Sequence, residues 1–195
     1  MNDTINIINE KILSDDWYVL KKTTFNFLTK KGVRETLSRE TYDRGNGATI
    51  LLYNRTLQTV ILIKQFRFPT YVNGNVTGML IETCAGLLDE NSPEEAIRRE
   101  TEEETGYVLS SVQKIFEVYM SPGSVTEKLY FFIAEYTSDM KTNVGGGVED
   151  EDIEVMELPF NTAMEMITSG EIKDGKTIML LQHLALSKIM DQTPY

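Results

Sequence analysis

Residues 86–107 read GLLDENSPEEAIRRETEEETGY, the most informative stretch of the sequence. Local signals predict a helix over 92–105. Ser92 is a favourable N-cap, Pro93 suits the first helical position, and Glu95 stands where a capping box needs a carboxylate. Gly106 supplies the left-handed conformation that commonly ends a helix. The sequence alone therefore defines both ends of this element.

The predicted helix carries three glutamates on one face. Glu100, Glu103 and Glu104 stand at i, i+3 and i+4, and like charges at this spacing cost about 0.2–0.5 kcal/mol per pair. They also lie in the C-terminal half, where the helix dipole disfavours anions. One interpretation is a solvated acidic face. A glycine-containing loop enters the helix from an apolar strand, and this favours a site for a hard cation such as Mg²⁺.

Length and composition exclude several classes of protein. The chain has 195 residues with 41% hydrophobic and 25% charged residues, which is typical of a globular protein. The net charge of −11 and the lack of a Lys/Arg cluster argue against nucleic acid as a partner. No apolar run approaches membrane-spanning length, and no signal peptide is visible. The single cysteine, Cys84, predicts a cytoplasmic protein, with the thiol packed in the core.

The order of predicted elements indicates an α+β fold with a mixed sheet and helices on its faces. We expect an N-terminal β-rich extension at 1–45, with a strand at 18–28 followed by a polar, turn-prone segment, and a second domain at 46–195. Further strands are predicted at 48–53, 59–66, 79–83, 112–119, 128–136 and 153–158. Two helices close the chain at 161–169, capped by Asn161, and at 176–190, where His183 is expected to be buried or half-buried.

The glutamate helix resembles the Nudix box, G-x5-E-x7-R-E-U-x-E-E-x-G-U, in which U is a bulky apolar residue. Its core is matched in order by Arg99, Glu100, Glu103, Glu104 and Gly106. The segment before Arg99 is one residue shorter than the pattern. Ser92 stands at the first glutamate, and Thr101 is polar where an aliphatic residue is usual. Because Ser92 caps the helix, we interpret that change as structural.

The resemblance extends to the members of the Nudix superfamily that hydrolyse GDP-mannose. It covers residues 11–15, 42–47, 119–123, 145–154 and 174–176. It implies a Nudix fold, an α/β/α sandwich, and hydrolysis of a nucleoside diphosphate sugar with two or more Mg²⁺ ions, for which Mn²⁺ is a substitute. GDP-mannose would give GMP and mannose 1-phosphate. It also implies a homodimer formed through the extension.

Two other functions stay open at this point. The region of Pro122 also resembles ADP-ribose pyrophosphatases, which act on a related substrate. A catalytically silent Nudix domain that senses a nucleotide is an alternative of a different class. Such domains usually lose box carboxylates, whereas all three glutamates are present here.

The resemblance also implies roles for individual residues. Metal would be bound by the Ala85 carbonyl, Glu100, Glu104 and Glu151, while Glu103 joins or orients that shell. Glu103, Glu151 and Glu127 are the candidate catalytic residues, although Asp150 and Asp152 flank Glu151 and compete for its assignment. The predicted substrate contacts are Trp17, Arg39, Glu40, Arg67, Ala85, Glu104, Glu127, Asp150 and Lys176.

Several of these residues also have explanations that involve no role in binding or catalysis. Glu127 and Glu151 could be solvent-exposed acids without a role. Arg67 could form an ion pair at the sheet edge, and Lys176 could be an ordinary exposed lysine. Trp17 could stack on a guanine base or fill the dimer interface.

Overall fold

The computed structural model describes residues 4–148 and 151–191. It divides into two compact units. One contains residues 1–46 and 119–128, and the other contains residues 47–118 and 129–195.

The first unit contains a three-stranded antiparallel sheet in the order β1-β2-β3. Its strands are β1 (Ile5–Asp15), β2 (Val19–Leu28) and β3 (Arg34–Asp43). The predicted turn-prone segment after residue 28 is therefore wrong, since most of it is β3. This strand is largely exposed and polar, so it lacks the apolar alternation that identifies a strand in a sequence. Residues 119–128 belong to this unit, where Tyr42 N donates to Ser124 O at 2.7 Å.

The second unit is built on a seven-stranded mixed sheet in the order β10-β5-β4-β9-β8, with β6 paired to β5 and β7 to β4. The strands are β4 (Gly47–Asn54), β5 (Thr59–Phe66), β6 (Met79–Glu82), β7 (Cys84–Leu87), β8 (Gln113–Tyr119), β9 (Lys128–Glu135) and β10 (Glu154–Pro159). β4 runs parallel to β9 and antiparallel to β5 and β7. The predicted strands from residue 48 onwards are confirmed, while β7 was not predicted.

In the described part of the chain, four α-helices accompany this sheet: α1 (Phe68–Val72), α2 (Pro93–Thr105), α3 (Phe160–Ser169) and α4 (Gly175–Leu186). Successive side chains of β4 point to opposite faces. Ile50 packs in a buried cluster with Ile97 of α2. Thr49 bonds Thr83 at 2.8 Å, and Thr83 in turn contacts Thr177 of α4 at 3.3 Å. The helices therefore lie on both faces, which confirms the predicted sandwich.

The C-terminal helices differ in detail from their predicted bounds. Asn161 is not an N-cap, because α3 already begins at Phe160 and Pro159 precedes it without a side-chain cap. α4 ends at Leu186, earlier than predicted, and begins after Asp174, which accepts from Thr177 N at 3.0 Å. His183 is half-buried with its ring edge against Phe116, as predicted. Within the described residues no helix is long and apolar enough to cross a membrane.

Candidate active site

The glutamate helix has the ends that its sequence predicts. Ser92 Oγ accepts from Glu95 N at 3.3 Å, and Glu95 Oε2 accepts from Ser92 N at 3.1 Å, completing the capping box. At the other end Gly106 adopts a φ of 79°, in the left-handed region. These two contacts fix where the helix starts and stops, and hence which side chains face the sheet.

Glu104 is the most deeply buried carboxylate of the helix, at 3% exposure. Ala85 N, on β7, donates to Glu104 Oε2 at 3.2 Å. Burial raises the pKa of Glu104 to about 7, although hydrogen bonds from Cys84 and Ala85 oppose the shift; the charges of Glu100 and Glu151 add to it. The site therefore holds an anion in surroundings that disfavour it.

Glu100 lies directly against the backbone of β7. A Cβ atom added to Gly86 would stand 2.2 Å from Glu100 Cδ, so that only glycine leaves room for this carboxylate. Burial raises the pKa of Glu100; the hydrogen bond and charge of Arg99 oppose the shift, and the charges of Glu103 and Glu151 add to it. Arg99 donates to Glu100 Oε1 at 2.9 Å. β7 thus fixes the positions of Glu100 and Glu104.

The triple-glycine loop packs on the last turn of α2. Gly147 N donates to Glu103 O at 3.1 Å, and Gly146 N to Glu104 O at 2.9 Å. Gly147 has a φ of 85°, and an added Cβ would stand 2.5 Å from Glu151 Oε2. This docking brings Glu151 close enough for its negative charge to raise the pKa of Glu100 and Glu104.

Glu151 also accepts from Val148 N at 3.0 Å, which holds its carboxylate at the loop. A cavity of about 420 Å³ lies beside the loop, lined by Arg99, Glu102, Glu103, Asn143, Gly145, Gly147 and Val148. Asp150, predicted to contact substrate, lies outside the described residues. Glu100 and Glu104 thus pack against Ala85 and Gly86, and Glu151 lies close enough for its charge to act on both glutamates.

Arg67 and Lys176 meet at one buried carboxylate. Arg67 forms a two-pronged pair with Glu82, with Nε–Oε1 at 2.8 Å and Nη2–Oε2 at 3.0 Å. Lys176 Nζ lies 2.6 Å from Glu82 Oε2 and 3.0 Å from Asp174 Oδ2. Arg67 thus forms an ion pair at the end of β5, and Lys176 is largely buried rather than an ordinary exposed lysine.

The charges of this group balance the cost of burial. Burial alone would raise the pKa of Glu82, but the hydrogen bond from Arg67 and the charges of Lys176 and Arg67 outweigh it and lower the pKa. Burial lowers the pKa of Arg67, but Glu82, Glu104 and Asp174 outweigh it and raise the pKa. Arg67 therefore stays charged within electrostatic range of Glu104.

Neither Glu82 nor Asp174 was predicted as a site residue. The sequence held one signal for Glu82, a lone carboxylate inside the apolar stretch 79–83. Its partner Lys176 is distant in sequence, so the pairing arises only from the fold. Asp174 is visible in the sequence as a helix cap, a role that gives no hint of its pair with Lys176.

The donors present fit a divalent cation bound mainly through two carboxylates. Among the described residues, no three acidic, histidine or cysteine side chains converge into a ready-made metal cage. Mg²⁺ usually takes one or two carboxylates and completes its shell with water and substrate phosphates. Glu104 is buried and Glu100 half-buried, and both have raised pKa values. They suit that mode because a cation would relieve their repulsion.

Four predicted site residues belong to the first unit. Glu127 lies 3.5 Å from Arg44 Nε and is only 15% exposed, so it is not a free surface acid. Trp17 is 81% exposed, with its ring edge against Tyr18. Arg39 and Glu40 are exposed on β3. Their roles at the site stay predictions.

Comparison with known proteins finds a family model that matches each of two parts of the chain. A family model described as the NUDIX domain matches residues 43–181, and one described as the GDP-mannose pyrophosphatase NudK N-terminal domain matches residues 4–42. GDP-mannose pyrophosphatase of Pectobacterium atrosepticum is 61% identical, over 94% of this chain and 95% of its own.

Two further similarities extend this result. The Salmonella typhimurium protein of the same name is 58% identical, over 98% of this chain and 100% of its own. A crystal structure of an ADP compounds hydrolase superposes with a TM-score of 0.72 at 18% identity, covering 97% of this chain and 98% of its own. At that identity the structural likeness bears on the fold alone.

Proposed function

We propose that this chain, which belongs to the Nudix hydrolase family, hydrolyses the pyrophosphate bond of GDP-mannose to give GMP and mannose 1-phosphate. The family matches confirm the resemblance to the Nudix superfamily that the sequence indicated. Relatives named GDP-mannose pyrophosphatase, at 58–61% identity over nearly the whole chain, support this substrate over ADP-ribose. The observation that carries the proposal is the packing of Glu100 and Glu104 of α2 against Ala85 and Gly86 of β7.

The metal-binding residues in this proposal are Glu100, Glu104, the Ala85 carbonyl and Glu151. Mg²⁺, as two or more ions or with Mn²⁺ in its place, would supply charge neutralisation of the phosphates and a lower pKa for water. It would also offset the repulsion between the substrate and a chain of net charge −11.

The other residues divide the remaining tasks. Arg67 and Lys176 bind phosphate oxygens, for which a guanidinium offers paired donors. Water attacks phosphorus, the bond to the bridging oxygen breaks, and a carboxylate accepts the proton from water. Glu151 is the leading candidate for that acceptor, with Glu103 and Glu127 as the alternatives; Asp150 adds a substrate contact.

A homodimer and a cytoplasmic location complete the proposal. Strand β1 supports the dimer, because Ile5, Ile7, Ile8 and Ile12 are all more than half exposed in the single chain, at 53%, 59%, 52% and 57%. In this arrangement Trp17, Arg39 and Glu40 of one chain serve the active site of its partner. A light-scattering mass equal to that of one chain would contradict the dimer. The single cysteine supports the cytoplasm.

Product identification tests the proposal. The protein is incubated with GDP-mannose or ADP-ribose, with Mg²⁺ or with a chelator, and products are separated by ion-exchange chromatography. We expect GMP and mannose 1-phosphate to form only with Mg²⁺. We expect ADP-ribose to be hydrolysed more slowly than GDP-mannose. Glu100→Gln should abolish turnover, while Glu94→Gln, an exposed change on the same helix, should leave it intact. A preference for ADP-ribose would replace the substrate, and binding without turnover would indicate a nucleotide sensor.

A further inference from the structure

A single buried carboxylate on β6 anchors the two cations assigned to the substrate. Glu82 is 1% exposed. Both of its oxygens accept from Arg67, and Oε2 also accepts from Lys176 at 2.6 Å. Asp174 contacts Lys176 from the other side at 3.0 Å. The cations come from distant parts of the chain, the end of β5 and the first turn of α4, and Glu82 is the group that they share.

Stability alone does not account for this group. Desolvating a carboxylate and its partners is costly, and apolar residues of similar volume often stabilise a core equally well. Lys176 also occupies the first turn of α4, where the helix dipole disfavours a cation. An arrangement that opposes both tendencies is better explained by a ligand that needs the two charges.

Both cations keep donors for that ligand. Lys176 Nζ has three N–H donors, and its contacts with Glu82 and Asp174 engage two of them. Arg67 has five N–H donors, of which the pair with Glu82 engages Nε and one on Nη2, and its side chain is still 40% exposed. Arg67 also lies near the carboxylates of α2. Glu82 precedes Cys84 and Gly86 at strand spacing; Cys84 packs in the cluster with Ile97 of α2, and Gly86 abuts Glu100. Arg67 lies within electrostatic range of Glu104.

We infer that Glu82 is a positioning residue, which sets the geometry of Arg67 and Lys176 so that both reach the same phosphate-bearing substrate; the inference rests on the proposed function. Glu82 touches neither substrate nor metal. It acts by holding one edge of the guanidinium and the ammonium, and leaves their other donors directed away from itself. Without its charge, the two cations repel each other and lose their common orientation.

Steady-state kinetics with GDP-mannose and Mg²⁺ tests the inference through a double-mutant cycle. Glu82→Gln keeps the shape of the side chain and removes its charge. We expect it to raise KM at least about tenfold, the effect of one misplaced charged hydrogen bond, with a smaller change in kcat. In an Arg67→Ala background the same change should alter KM much less, because one of the two groups that Glu82 positions is already gone.

A matched control separates positioning from stability. Glu135→Gln breaks another two-pronged pair, between Glu135 and Arg55 at 2.9 and 2.6 Å, and should leave KM unchanged. Glu82→Asp keeps the charge and should give an intermediate KM; it serves as the test if Glu82→Gln does not fold. An unchanged KM with a lower kcat and melting temperature would show a purely structural role and overturn the inference. So would equal effects of Glu82→Gln in both backgrounds. Lack of turnover by the unmutated protein would instead refute the proposed function, and the inference with it.

Discussion

Glu104→Gln should stabilise the metal-free protein while abolishing its activity. The physical reason lies in the burial of this carboxylate, which is 3% exposed. Among the described residues, its hydrogen-bond donors are the Ala85 N–H and the Cys84 thiol. In the absence of metal, its negative charge is a cost to the fold. A glutamine removes the charge and keeps an oxygen that can accept from Ala85 N.

The magnitude follows from the pKa of Glu104, which burial raises from 4.5 to about 7. This shift corresponds to about 3 kcal/mol, since one pKa unit is about 1.4 kcal/mol. The folded-state pKa is above the unfolded value, so stability is lost as the pH rises from 4.5 to 7. The variant should therefore match the wild type near pH 4.5 and exceed it by about 3 kcal/mol above pH 7, or roughly 10 °C in melting temperature.

Thermal unfolding followed by circular dichroism, in a chelator and across this pH range, measures the difference. Subtracting the unfolding free energies of the two proteins removes the contribution of titrating groups that do not interact with Glu104. Mg²⁺ should then raise the melting temperature of the wild type and not that of the variant, because ligands stabilise the state that binds them. Glu94→Gln, exposed on the same helix, serves as control. A variant less stable than the wild type at pH 8 would refute the reasoning.

Three further predictions concern the neighbouring residues. Gly86→Ala should displace Glu100 and so lower kcat about 100-fold. Gly123→Ala, whose new Cβ meets nothing within 4 Å, should leave kcat unchanged. A wild-type kcat for Gly86→Ala would contradict the packing of Glu100 against Gly86. Because the pKa of Glu82 is lowered, the wild type should lose its stability advantage over Glu82→Gln as the pH falls below 4.5. Denaturant titrations at a series of pH values measure this difference. An advantage that stays constant with pH would count against the ion pair. Cys84, 2% exposed and with a pKa raised by burial, should resist maleimide labelling in the native protein, and rapid labelling would show that β7 opens.

The ends of α2 could be predicted from the sequence because their causes are local. A capping box at Ser92 and a left-handed glycine at 106 depend only on residues within one turn, and both occur as predicted. Asn161 shows the limit of the same reasoning. Asn161 is a good capping residue, but strand β10 ends at Pro159 and α3 begins at the next residue. The end of β10 therefore sets where the helix starts.

Elements that depend on distant partners could not be predicted in this way. β3 is polar and largely exposed, and it is a strand because it pairs with β2 along its whole length. The group around Glu82 has the same origin, since Lys176 reaches it only after the sheet and α4 have assembled. Resemblance indicated Arg67 and Lys176 as substrate contacts, but no local pattern indicated the carboxylate that they share.

One short segment links the opposite charges of the candidate site. The segment contains Glu82, Cys84 and Gly86 at the spacing that places strand side chains on one face. Each of the three has a different role. Glu82 holds the cations, Cys84 packs in the core with α2, and Gly86 leaves room for Glu100. In the proposed function, the backbone of β6 and β7 sets the distance between the cations and the carboxylates assigned to the metal. Such an arrangement would let a chain of net charge −11 present a locally cationic surface to a pyrophosphate.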